Sequence, residues 1–198
     1  MPLSLDQGKS LVRLARHAID SAFTKVKISK PLGLPKGGIF VTLKRYPKGT
    51  LKGCIGFIRP IPLAEGIINA ARSAAFEDPR FPPVRKEEFD DICVEISILT
   101  EPKEVEINSE ADLKKIRVGK DGLIVSKGSL SGLLLPQVAT EEQWNARTFI
   151  RGTCMKAGLG SEAWRDPLVK VYKFQAQIFK EVSPEGEVVE EVISRPVK

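Results

Sequence analysis

The chain has 198 residues, of which 42% are hydrophobic and 28% charged, a composition typical of a globular protein with a buried core. This composition excludes a disordered chain. No stretch approaches the roughly 18 consecutive apolar residues of a membrane-spanning helix, and the N-terminus lacks the basic and apolar regions of a secretory signal. We therefore expect a cytoplasmic protein without a membrane partner.

Cysteine and histidine usage argues against disulfides and bound metals. Cys54, Cys93 and Cys154 are odd in number and widely spaced, which predicts free thiols in a reducing compartment. The chain has one histidine and no C-x-x-C or H-E-x-x-H spacing. The sequence therefore predicts neither a metal site nor a cofactor.

Positive charge is concentrated in the first third of the chain. Residues 1–60 contain 12 Lys and Arg against 2 Asp and Glu, while the whole chain has a formal charge of +6. Such a segment could bind the phosphates of a nucleic acid, or it could pair with acidic residues later in the chain. No arginine-rich run or row of aromatic residues supports nucleic acid, which is therefore the less favoured partner.

The first half of the chain predicts a helix followed by a hairpin, a second helix and a strand. Residues 5–27 form an amphipathic pattern with Ser4 placed to cap the helix. The strands of the hairpin are predicted at 38–43 and 51–58. The second helix starts at Pro62 and reaches about Phe76, three prolines make 78–83 irregular, and the alternation of 91–100 predicts a strand with one buried face.

The second half of the chain predicts short elements and a tail. These are a capped helix over 109–116, two strands at 122–126 and 132–135, a helix from Thr140 to about Lys156, a strand over 169–182 and a frayed, charged tail over 183–198. Hairpins mixed with separate helices predict an α+β fold with a mostly antiparallel sheet and flanking helices.

The most informative segment for function is residues 51–56, which we call the signature segment. Strand alternation puts Leu51, Gly53, Ile55 and Phe57 on the core face and Lys52, Cys54 and Gly56 on the opposite face. Glycines on both sides of a cysteine indicate close approach by a ligand or by another part of the backbone. A neighbouring ammonium group from Lys52 would favour the reactive thiolate of Cys54.

Cys54 can be interpreted in three ways from the sequence. It is a small buried packing residue, a contact for a ligand or partner, or a catalytic nucleophile. The nucleophile interpretation requires a nearby base, and the single histidine, His17, lies opposite the apolar stripe of the first helix.

The chain resembles the AMMECR family over nearly its whole length, because a series of motifs typical of that family follows in the same order along the sequence. The motifs are GIFVTL (38–43), LKGCIG (51–56), DPRF (78–81), VEISIL (94–99), GLLLPQVA (132–139), Trp144 and CMKAGL (154–159). The family signature normally has Arg where this chain has Lys52, so the charge is kept and a bidentate fork is lost. Some relatives have His in place of Asp121.

The resemblance implies a single AMMECR-type domain over 1–198, built from two intertwined subdomains with a cleft beside the signature segment. It implies no established reaction. Prokaryotic relatives are associated with Memo-like and radical-SAM proteins, which suggests these proteins as partners in a shared modification pathway.

Two functions follow as hypotheses. In the first, the protein is an enzyme in which Cys54 is the nucleophile and Glu95 an acid or base, while Lys52, Gly53, Gly56, Asp78, Arg80 and Gln137 bind the ligand. Arg80 would hold an anionic substrate, and Asp78 and Asp121 are further acid or base candidates. In the second, the protein is a non-catalytic module that binds a protein or nucleic acid through its basic first third. Asp78 and Arg80 could also simply brace the proline-rich turn.

Overall fold

A computed structural model describes residues 2–26, 28 and 34–192. None of the helices in this part of the chain is long and apolar enough to cross a membrane. The described residues form two compact units. Unit 1 lies within Met1–Leu99 and Gln177–Glu191, and unit 2 comprises Thr100–Ala176 together with Val192.

Helix α1 of unit 1 spans Leu5–Thr24 and begins with the predicted cap, in which the Ser4 hydroxyl accepts a hydrogen bond from the Gln7 N–H. It ends three residues before the predicted boundary, because Lys25 adopts a left-handed conformation that stops the helix. Residue 27, the predicted end, lies outside the described residues. The buried stripe of the helix includes Leu11, Ala15 and Ile19.

Strands β1 (Lys36–Arg45) and β2 (Thr50–Pro62) form the predicted hairpin, and β1 also pairs antiparallel with β3 (Ile92–Leu99). With β8 (Ala176–Glu181) and β9 (Val188–Glu191), these strands form the five-stranded sheet of unit 1, in the order β2-β1-β3-β8-β9. Helix α2 spans Leu63–Phe76, and the short helix α3 spans Lys86–Phe89. Strand β2 is therefore an edge strand, and β1 is flanked on both sides.

The core of unit 1 lies on one face of this sheet. Buried residues of β1 and β3 such as Val41 and Ile96 pack with apolar residues of α1 and α2 such as Ile19 and Ile67. The opposite face of β3 is also buried, since Glu95 and Ser97 are 3% and 0% exposed. The prediction that β3 has one buried face is therefore wrong.

One ion pair in unit 1 is buried within this architecture. The guanidinium of Arg16 on α1 donates two hydrogen bonds of 2.7 Å to Glu181 of β8 and a third to the carbonyl of Ile92. Glu181 also accepts the Val94 N–H. Helix α1 is thus fixed to two strands through one buried carboxylate.

The predicted strand over 169–182 and the predicted tail are both corrected by the structure. The strand divides into β7 (Lys170–Phe174) and β8 (Ala176–Glu181), which belong to different sheets. Within 183–198, Val188–Glu191 forms strand β9 and pairs with β8, because backbone groups paired in a ladder are more stable than a frayed end. Residues 193–198 of the predicted tail lie outside the described residues.

Besides β7, unit 2 contains the strands β4 (Lys103–Glu104), β5 (Gly122–Lys127) and β6 (Leu130–Leu134), and a 3₁₀ helix spans Glu110–Lys115. Its four-stranded sheet has the order β4-β7-β5-β6. The single helix predicted from Thr140 is wrong, because Gln143 has a φ of 55° and Asn145 caps a new helix. The two helices are α4 (Pro136–Glu141) and α5 (Ala146–Lys156). The overall class is α+β with antiparallel pairing, as the sequence predicts.

We expect Gly53→Ala to destabilise the protein by more than about 2 kcal/mol. A Cβ atom at Gly53 would lie 2.0 Å from the carbonyl oxygen of Ala74 on α2, and this backbone oxygen cannot move without displacing the helix. Urea unfolding measures the change. Gly160→Ala is the control, because nothing lies within 4 Å of a Cβ atom there. Equal effects of the two substitutions would contradict the packing role of Gly53.

Candidate functional site

Three residues on adjacent strands of unit 1 lie in one row across the sheet. Thr42 on β1 is in register with Cys54 on β2 and with Glu95 on β3. Because residues in register point to the same face, the three side chains share the face opposite the helices. The Thr42 hydroxyl donates a hydrogen bond of 3.3 Å to the Cys54 Sγ. The structure thus brings the two predicted catalytic residues, Cys54 and Glu95, to either side of Thr42.

The main chain of Cys54 is held by an ion pair from the loop after α2. The Cys54 N–H donates a 2.9 Å hydrogen bond to Asp78 Oδ2, and the Cys54 carbonyl accepts one of 3.1 Å from Arg80 Nη2. Arg80 is in turn bidentate to Asp78, with bonds of 2.9 Å and 2.7 Å. We call this arrangement the Asp78–Arg80 clamp. It satisfies the outward-facing backbone groups of Cys54 on an edge strand.

The clamp sets the charge state of Asp78. Hydrogen bonds from Arg80 and the Cys54 N–H lower the pKa of Asp78 to about 2, although burial opposes the shift. The carboxylate is therefore ionised at neutral pH. This makes Asp78 a charged brace rather than a proton donor.

The thiol of Cys54 is affected by opposing influences. Burial raises its pKa, and the negative charges of Glu95 and Asp78 act in the same direction. The Thr42 hydrogen bond and the positive charge of Arg80 lower it but do not cancel the rise. Cys54 is therefore a protonated thiol at neutral pH, so the expected activation to a thiolate by Lys52 is not found.

The Lys52 side chain is not beside the Cys54 thiol, because the alternation of faces along β2 is interrupted between the two residues. Leu43 pairs with Gly53 and Lys44 pairs with Leu51, so Lys52 is an extra residue at a β-bulge. Its side chain is 1% exposed, and its ammonium lies 3.6 Å from Glu88 on α3. Among the described residues its Nζ has no hydrogen-bond partner. Leu51 is 37% exposed and not in the core, contrary to the predicted pattern.

The two glycines of the signature segment have packing roles in unit 1. A Cβ atom on Gly56 would lie 2.2 Å from the Ile39 carbonyl oxygen and 2.4 Å from the Phe40 ring. Gly53 packs against the Ala74 carbonyl of α2, where a Cβ atom would not fit. The close approach predicted at both positions is therefore made by other parts of unit 1.

The buried Glu95 carboxylate is paired with Lys44. The Lys44 ammonium donates a 3.1 Å hydrogen bond to Glu95 Oε2, and Glu95 is 3% exposed. Lys44 and Thr42 are the residues that the sequence analysis missed. A lone threonine or lysine in a strand gives no signal by itself, although their alternation with Ile39, Val41 and Leu43 could have assigned them to the face of Cys54.

The other candidates lie in unit 2. Gln137 is buried in α4, and Asp121 is buried where it accepts hydrogen bonds from Arg117 and Lys173. Those hydrogen bonds lower the pKa of Asp121 despite its burial, which favours an ion-pair role. Within residues 2–26, 28 and 34–192, no group of three or more His, Cys, Asp or Glu side chains is placed to hold a metal.

Comparisons with known proteins place these motifs in a family. The AMMECR1 family model matches residues 12–179. A protein from Methanothermobacter thermautotrophicus is 52% identical over 191 residues, which cover 91% of this chain and 97% of the relative. A protein from Thermococcus gammatolerans is also 52% identical and is covered to 93%.

A solved structure has the same fold. The crystal structure of the uncharacterized protein PH0010 from Pyrococcus horikoshii is 48% identical and superposes with a TM-score of 0.89, covering 94% of this chain and 97% of that one. The comparisons therefore supply a family and a fold and no reaction.

The clamp predicts a pH-dependent contribution of Asp78 to stability. Its pKa in the folded protein is about 2 against an ordinary value of 3.8, so the ionised group stabilises the fold above about pH 4 and this is lost as the pH falls to 2. We expect Asp78→Asn to remove about 2 kcal/mol at neutral pH and to flatten the decline between pH 4 and 2. Urea unfolding at a series of pH values measures both.

A double-mutant cycle provides the control for this prediction. Asp78→Asn and Arg80→Gln should couple by about 1 kcal/mol or more, whereas Asp78→Asn and Arg59→Gln should be additive. Arg59 is an exposed arginine on the same strand as Cys54. A variant pH profile that superimposes on that of the wild type would show that the clamp contributes nothing.

Proposed function

We propose that this chain, which belongs to the AMMECR1 family, binds a small molecule at the signature segment and that the Cys54 thiol is the group that reacts with it. The observation that carries the proposal is the fixed position of Cys54. Its N–H, its carbonyl and its sulfur each have a separate polar partner, namely Asp78, Arg80 and Thr42. A site at which a reaction takes place needs its reacting atom held in position before the ligand binds.

A protonated thiol needs a base before it can attack. Glu95 is the candidate, because it lies in the same row as Cys54 and Lys44 holds its carboxylate in place. Glu95 is two strands from Cys54, about 9.6 Å, with Thr42 between them. The proton transfer therefore requires the Thr42 hydroxyl to turn from the sulfur towards Glu95, so that its oxygen accepts the thiol proton while its own proton goes to the carboxylate. The sulfur then bonds to an electrophilic carbon of the ligand, the leaving group departs, and the proton held by Glu95 goes to that leaving group.

The alternative is a non-catalytic module that uses the basic first third. Among the described residues of that segment, four basic side chains form ion pairs with carboxylates later in the chain, which reduces the charge available to phosphates. These are Arg16 with Glu181, Lys44 with Glu95, and Arg45 and Lys52 with Glu88. These pairs favour the Cys54 site over nucleic-acid binding.

Several earlier expectations stay predictions. These are the ligand contacts of Gln137, the cleft beside the signature segment, and the link to Memo-like and radical-SAM proteins. Asp78 and Arg80 enter the proposal through the clamp. Lys52 and Gly53 enter only as supports of the strand, and Gly56 as the residue that accommodates Phe40.

Alkylation of Cys54 with iodoacetamide at a series of pH values tests the proposed site. Mass spectrometry of the Cys54 peptide reads the rate in the native full chain without interference from Cys93 and Cys154. We expect labelling of the folded protein with a midpoint above 9.0, the ordinary thiol pKa, because burial raises the pKa of Cys54. Labelling that begins only when the protein unfolds would show that Cys54 is a packing residue.

A matched pair of variants tests the role of Thr42. Thr42→Val keeps the shape of the side chain and removes the hydroxyl that lowers the pKa of Cys54, so we expect the labelling midpoint to move further upward. Thr50→Val, at an exposed position on β2, the strand of Cys54, should leave the midpoint unchanged. Identical midpoints in both variants would remove Thr42 from the mechanism.

A further inference from the structure

We propose that the molecule bound beside Cys54 carries an anionic oxygen group, a carboxylate or a phosphate, and that Arg80 and Lys44 recognise it. The inference rests on the proposed function, because it names the class of ligand for the same site. The evidence for it is that, in both ion pairs near Cys54, the cation is more exposed to solvent than its carboxylate.

Asp78 contacts Cys54, Glu95 lies on the far side of Thr42, and each of these buried carboxylates pairs with a more exposed cation. In the clamp the Arg80 side chain is 44% exposed, whereas that of Asp78 is 2% exposed. On the other side Lys44 is 26% exposed, and Glu95 is 3% exposed. An arriving ligand therefore meets the positive member of each pair, although the four charges cancel in sum.

Arg80 retains unused hydrogen-bond donors in a fixed orientation. Its Nε and Nη2 donate to Asp78, and Nη2 also donates to the Cys54 carbonyl. Its Nη1 has no hydrogen bond to any residue that the structure describes, and the guanidinium lies over the Phe81 ring at 5.3 Å. The carboxylate of Asp78 holds the guanidinium in place, and because both Nη2 hydrogens are used, the two N–H groups of Nη1 remain to donate to a second oxyanion.

The state of the thiol fits this ligand class. Burial keeps Cys54 protonated at neutral pH, so the sulfur does not repel an arriving anion. A thiolate at the same position would add a negative charge beside Asp78 and Glu95. The neutral thiol and the exposed cations thus act together in favour of an anion.

Two alkylating reagents of similar size test the inference. Iodoacetate carries a carboxylate, and iodoacetamide is neutral. Both react by forming a bond from the sulfur to the methylene carbon, with loss of iodide and release of the thiol proton to solvent. The ratio of the two rates at Cys54 cancels the effects of thiol pKa and accessibility, and the urea-unfolded wild-type chain gives its reference value.

We expect the iodoacetate to iodoacetamide rate ratio to be about fivefold higher in the folded protein than in the unfolded chain at low ionic strength, the order of effect of one nearby charge. Arg80→Gln and Lys44→Gln should each lower the ratio, and Arg59→Gln should not. Sodium phosphate should slow iodoacetate labelling of the wild type more than sodium chloride at equal ionic strength, a measurement that needs no variant.

The outcomes separate this inference from the function on which it rests. If neither reagent labels Cys54 until the protein unfolds, the reactive site itself is absent. If iodoacetamide labels the folded protein but the ratio equals that of the unfolded chain, and phosphate has no specific effect, the site stands and the anionic ligand class is overturned.

Discussion

The candidate site depends on the register of β1 between its two neighbours. Thr42 faces Cys54 on one side and Glu95 on the other only because β1 pairs with both strands in one fixed alignment. A slip of one residue would turn Thr42 into the core and bring Val41 or Leu43 out of it. Ile39, Val41 and Leu43 of β1, all fully buried, therefore hold the polar row in place. Core packing and site geometry are consequences of the same alternation.

Strand β2 carries Cys54 at the edge of the sheet, where backbone groups need partners other than a neighbouring strand. The Asp78–Arg80 clamp supplies them, and it also places a cation beside the thiol. The same ion pair thus supplies hydrogen-bond partners to the backbone of the edge strand and places the positive charge of Arg80 near the Cys54 thiol. This dual role explains why the structural and functional interpretations of Asp78 and Arg80 are compatible: the clamp that braces the loop is the clamp that positions Cys54.

The polar character of the Cys54 face could be predicted from the sequence, and the partners of Cys54 only in part. Alternation in β2 correctly separates Cys54 from Gly53, which packs on α2. It fails at Lys52, since a bulge inserts one residue and removes the ammonium from the thiol. It also overlooks Thr42, because a hydroxyl in a strand acquires meaning only from the residue opposite. The predicted thiolate fails for a related reason: burial, which raises the pKa, is a property of the packed protein.

Local patterns in the sequence determined the elements whose signals are local. These are the capped start of α1, the hairpin of β1 and β2, the irregular loop after α2 and the α+β class. Tertiary structure alone decided where the strand predicted over 169–182 divides between two sheets, that 188–191 joins one of them, and which charges meet. Pairing between strands and between side chains distant in sequence is set by the packing of the whole unit, whereas caps, alternation and prolines act within a few residues.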